Sequence, residues 1–99
     1  MDKKFQKMLE QASDLADDEE YEEAIILYDK VLDSYPKNIS ALLDKAATLQ
    51  RMEKNSQSFQ IYNSILKEES KNLDALIGKG TLLHAKSKFS DAIECYDAV

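Results

Sequence analysis

The sequence predicts an all-α fold, and three observations carry that reading. Two Gly and one Pro in 99 residues are too few for the tight turns of a small β fold. Ala, Glu, Lys, Leu and Arg together supply 44 residues, the composition of long helices. The chain also repeats itself at a fixed offset of 34 residues. With 43% hydrophobic and 32% charged residues there is enough apolar material for one core, so a single domain spanning 1–99 is expected.

The offset superposes the segment 36–45, from Pro36 to Lys45, on 70–79, from Ser70 to Lys79. It also superposes Tyr28, Tyr62 and Tyr96, then Val31, Ile65 and Val99, then Leu15, Leu49 and Leu83. Cut at this period, the chain gives repeats 5–38 and 39–72 and an incomplete third, 73–99. Within each repeat, apolar residues recur at three and four positions, first in one helix and, after a polar break, in a second.

Helix 3–17 follows from Phe5, Met8, Leu9, Ala12, Leu15 and Ala16, and helix 21–34 from Tyr21, Ala24, Ile25, Tyr28, Val31 and Leu32. Helix 39–52 follows from Leu42, Ala46 and Leu49, and 55–69 from Phe59, Tyr62, Ile65 and Leu66. Helix 73–86 carries Leu76, Gly80 and Leu83, and 89–98 carries Phe89, Ala92, Ile93 and Tyr96. Asn38 and Asn72 stand at N-cap positions, and Pro36 marks the end of the preceding helix.

These residues resemble the tetratricopeptide repeat (TPR) family over essentially all of 5–99. The resemblance rests on Ala12, Tyr21, Ala24, Tyr28 and Pro36, then Ala46 and Tyr62, then Gly80, Phe89, Ala92 and Tyr96. It implies a right-handed α-α superhelix of about three helix-turn-helix repeats, the third incomplete. Small residues such as Ala12 and Gly80 would let helices approach closely. The family usually has glycine at the bend inside each repeat, where this chain has Glu19, Glu53 and Ser87, so strained or differently shaped bends are expected. Asn55 and Ser58 replace an expected aromatic and an expected Ala, which predicts helix 55–69 as the weakest-packed element.

By the same resemblance, the first helices line a concave groove that binds a peptide or helix of a partner protein. The groove residues would be Gln6, Leu9 and Ser13 with Ala16, then Ser40, Leu43, Ala47, Gln50 and Arg51, then Asp74, Ile77, Thr81 and His84. Leu9, Leu43 and Ile77 would form an apolar strip; equally, they complete helix packing or meet another copy of the chain. The family's carboxylate clamp is absent, because Leu9, Ser13, Asp44, Asp74 and Gly78 stand at the corresponding places.

Charge and motif content narrow the function. Residues 1–29 hold 10 acids against 3 bases, with no Lys or Arg from Met8 to Asp29, so neither nucleic acid nor an anionic membrane is an expected partner. The cluster Glu10, Asp14, Asp17, Asp18, Glu19, Glu20, Glu22 and Glu23 reads as a solvated bend complementing a helix N-terminus, with docking of a basic peptide as the alternative. It lacks the alternating ligands and glycine of a calcium loop.

No P-loop, G-x-G-x-x-G or H-E-x-x-H occurs. Cys95 shares its repeat place with Leu27 and Ile61, and His84 shares its place with Ala16 and Gln50, so a non-enzymatic protein without cofactor or metal is expected. The absence of a long apolar run or a signal-like start reads as soluble and cytoplasmic. Val99 falls seven residues short of a full third repeat. Ile93, Cys95, Tyr96 and Val99 would then form an apolar face for self-association as a homodimer, with Leu73, Leu76 and Leu83 only partly shielded, unless the chain is a fragment of a longer repeat protein.

Overall fold

The computed structural model describes residues 2–85, and every regular element among them is an α-helix. The helices are α1 (Lys3–Asp17), α2 (Tyr21–Ser34), α3 (Ile39–Arg51), α4 (Asn55–Glu68) and α5 (Leu73–Ala85). Each starts where the periodicity places it. The helix expected at 89–98, with Phe89, Ala92, Ile93, Cys95, Tyr96 and Val99, lies outside the described residues, as does the bend at Ser87.

Local chemistry explains the starts. Asn38 Oδ1 accepts from the Ala41 amide at 2.9 Å, and Asn72 Oδ1 accepts from the Ala75 amide at 2.9 Å, each satisfying an orphan donor of the following helix. Asp2 does the same for α1, accepting from Lys4 and Phe5. No side chain caps α2 or α4, which follow a short left-handed turn directly.

That turn is built twice with the same hydrogen bonds. The Glu19 amide donates to Ala16 O (3.1 Å) and the Glu20 amide to Leu15 O (2.8 Å). One repeat later, Glu53 donates to Gln50 O (3.0 Å) and Lys54 to Leu49 O (2.9 Å). This is the Schellman pattern, which needs a left-handed residue at its apex. Glu19 has φ 65° and Glu53 has φ 61°, so both bends carry the strain expected of a side chain where glycine is preferred.

Helices adjacent in sequence pack against one another, and α3 also touches both α1 and α5. The rings of Phe5, at the start of α1, and Tyr35, just beyond α2, meet edge to face at 5.3 Å, so these two helices run antiparallel. Their core holds Ala12, Ala16, Ala24 and Tyr28. A second core joins α3, α4 and α5 through Ala46, Tyr62, Ile65, Ala75 and Leu82.

Equivalent lysines tie successive pairs by different means: Lys45 of α3 pairs with Asp29 of α2 at 2.6 Å, whereas Lys79 of α5 lies 5.5 Å above the Phe59 ring of α4.

Two expectations change. Ser58 was read as a sign of weak packing, yet it is fully buried and its hydroxyl donates to Ala46 O at 2.7 Å. The smaller, polar side chain is therefore a satisfied part of the core. Leu76 and Leu83, expected to be partly shielded, are buried, while Leu73 is 49% exposed.

Gly78 sits inside α5, where it has a packing role. A Cβ there would overlap Cζ, Cε1 and Cε2 of Tyr62, so glycine lets the ring lie against the α5 backbone. Gly78→Ala should destabilise the protein by about 1–2 kcal/mol in urea unfolding, because overpacking a filled site outweighs alanine's helix propensity. Glu53→Gly should do the opposite: relief of left-handed strain, less the extra flexibility of the unfolded chain, leaves a gain of about 0.5–1 kcal/mol in the same measurement.

Candidate functional site

Along the side formed by α1, α3 and α5, two clefts share a wall. The larger, about 440 Å³, is lined by Ser40, Leu43, Asp44, Ala47, Tyr62 and Asp74. The smaller, about 90 Å³, is lined by Ser13, Ala16, Asp17, Tyr28, Asp44, Ala47, Thr48 and Arg51. Asp44 and Ala47 belong to both, so α3 supplies the shared wall. Residues 40, 44, 47 and 51 lie on one face of that helix because three and four residues complete a turn.

Of the residues expected in the groove, the structure brings Ser13, Ala16, Ser40, Leu43, Ala47, Arg51 and Asp74 to these clefts. Gln6, Thr81 and His84 are exposed on α1 and α5 and line neither. The expected apolar strip is uneven. Leu9 and Leu43 are half-buried against the two cores, whereas Ile77 is 44% exposed. Ala16 lines the smaller cleft although it is almost fully buried. Gln50 is half-buried and accepts the Tyr62 hydroxyl at 3.1 Å, so it supports the cleft floor. Ile93, Cys95, Tyr96 and Val99, expected to mediate self-association, lie outside the described residues.

Arg51, expected in the groove, is engaged there. Its Nη1 lies 3.4 Å from Ala16 O, at the C-terminal end of α1, and 3.8 Å from Asp17 Oδ1. A guanidinium there meets both a carboxylate and the negative end of a helix dipole.

The cleft-lining residues absent from the groove set that the resemblance implied are Asp17, Asp44, Thr48, Tyr28 and Tyr62. The two tyrosines recur at the 34-residue offset and read as core; they are core, and one edge of each also forms the cleft floor. Burial pushes the Tyr28 hydroxyl up to about 12, with the nearby Asp44 adding to it and Thr48 opposing. Burial likewise raises Tyr62, with Ser58 opposing and Asp74 adding. Both are neutral hydrogen-bonding groups at ordinary pH.

Asp44 is half-buried, and that burial raises its carboxyl above the usual aspartate value. Elsewhere, the acidic residues Glu19, Glu20, Glu22 and Glu23 surround an open hollow of about 500 Å³ with Tyr21, Met52 and Lys54. Glu22 and Glu23 fall in the first turn of α2, where they complement its positive end.

No three His, Cys, Asp or Glu side chains among the described residues converge as a metal site. No helix among them is long and apolar enough to cross a membrane. No family model matches the chain, and no curated protein matches it either.

The sign of the Asp44 effect follows from linkage. A carboxyl whose folded-state value is raised costs stability when ionised, so stability falls as pH rises from the unfolded toward the raised folded value. Asp44→Asn should therefore raise Tm at pH 7 and change it little at pH 3, where the carboxyl is protonated in both states; melting by circular dichroism across this range checks it.

Proposed function

We propose that the chain is a tetratricopeptide-type repeat module, a right-handed stack of helix pairs, which holds a peptide or helix of a partner protein in the groove along α1, α3 and α5. The observation that carries this reading is the pair of neighbouring clefts with α3 as their common wall. Supporting it are the turns repeated at Glu19 and Glu53, the buried tyrosines 34 residues apart, and the contacts of α3 with both α1 and α5. A concave face built from successive first helices is the usual binding surface of such arrays.

The role is recognition, not catalysis. Tyr28 and Tyr62 stay protonated, and both tyrosines are locked by packing. Ser13, Ser40, Ala47 and Asp74 are exposed and supply the adaptable rim, while Leu43 offers half-buried apolar contact.

Ala47 gives a clean test because it is exposed and shared by both clefts. Peptides selected from a random displayed library should shift the amide resonances of residues 40–51 and 74. Ala47→Trp, which fills the groove without touching the core, should abolish that binding and leave Tm nearly unchanged. Binding that persists in Ala47→Trp, or shifts confined to other faces, would overturn the reading. Sedimentation of the unliganded chain separates the assembly alternative: a mass that grows with concentration and falls in Ala47→Trp would assign the groove to a second copy.

A further inference from the structure

We propose that the groove selects partner segments carrying a Lys or Arg beside an apolar residue, with Asp44 receiving the cation at the junction of the clefts and Leu43 meeting the apolar group. The proposal rests on the groove reading above and adds the charge and composition of the occupant.

The argument begins with where the cations go. Lys45 and Lys79, the basic residues closest in sequence to the groove positions of α3 and α5, are directed to Asp29 and to the Phe59 ring of the neighbouring second helices. Arg51 is held by Asp17 and Ala16 O at the far end of the smaller cleft. The remaining ion pair among the described residues, Lys37–Glu68, is outside the groove. Asp44 and Asp74 thus line the larger cleft with no ion-pair partner among the described residues.

Asp44 is the more telling of the two. It is half-buried beside the Tyr28 hydroxyl, whose ionisation it opposes, and it has lost part of its hydration without gaining a cation. A carboxylate in that position makes a charge-assisted hydrogen bond with an incoming ammonium or guanidinium, and it repels an acidic segment. The apolar requirement comes from Leu43, which shares the larger cleft with Asp44 and Ala47. Nucleic acid and phosphorylated segments are disfavoured by the same sign.

The test uses the full chain and peptides selected on it from a random displayed library at low salt. The strongest peptide and its Lys or Arg to Gln version are then titrated by fluorescence anisotropy. Targets are the wild type, Asp44→Asn, and a turn variant combining Glu19→Gln, Glu20→Gln and Glu22→Gln. Selected peptides should be basic with an apolar neighbour, and the Gln version should bind about tenfold more weakly to wild type but nearly as well as its parent to Asp44→Asn. The turn variant should bind like wild type.

Neutral or acidic peptides that bind at Ala47 would overturn the charge assignment and leave the groove standing. Basic peptides that lose affinity in the turn variant, and not in Asp44→Asn, would move the cation site to the acidic bend and overturn the proposal. Selection that yields no peptide sensitive to Ala47→Trp would remove the groove reading itself. The melting temperature of Asp44→Asn, expected to rise at neutral pH, shows that any loss of binding is not a loss of folding.

Discussion

The architecture depends on one steric constraint: a tyrosine ring must enter the space where a helix pair meets the next helix, and something small must stand opposite it. Tyr28 is 2% exposed and packs with Ala12, Ala16 and Ala24, while Tyr62 is 4% exposed and packs with Ala46 and against Gly78. A ring of that size fills the junction only because neighbouring helices present methyl groups or bare backbone. The same rings reach the groove side and form part of its floor. Packing and the candidate site are therefore made of the same atoms, and a change at the small positions would alter both.

Much of the helical framework was legible in the sequence because it is governed by local rules. Periodicity and the caps at Asn38 and Asn72 located the starts of all five described helices, and the ends of α3 and α4 differ from expectation by one residue each. The strained bends were legible too, since a family preference for glycine met glutamate at Glu19 and Glu53. The packing of Ser58 was not, because a hydroxyl's value in a core depends on whether a carbonyl lies within reach on another helix.

Groove composition was legible only in part, for a related reason. The family resemblance, not helical spacing, pointed to groove positions, and of these Ser13, Ala16, Ser40, Leu43, Ala47, Arg51 and Asp74 line the clefts. It does not say which charged side chain is already occupied by a neighbour. The engagement of Arg51 by Ala16 O and Asp17 is visible only in three dimensions, and in the sequence Asp44 stands out only as a departure from a clamp pattern. Half-burial of one carboxylate and the diversion of Lys45 and Lys79 toward other helices are properties of three-dimensional pairing.

At corresponding places in the two junctions, Tyr28 faces Asp44 and Tyr62 faces Gly78, since 34 residues separate both members of each pair. One ring lies beside a carboxylate and the other lies flat on a main chain. The modules are consequently not interchangeable bricks. An engineered array copied from the glycine-bearing junction would bring its helices uniformly close but lose the acidic wall. One copied from the aspartate-bearing junction would multiply desolvated negative charge along its length, so each route to a longer scaffold sacrifices something the natural alternation keeps.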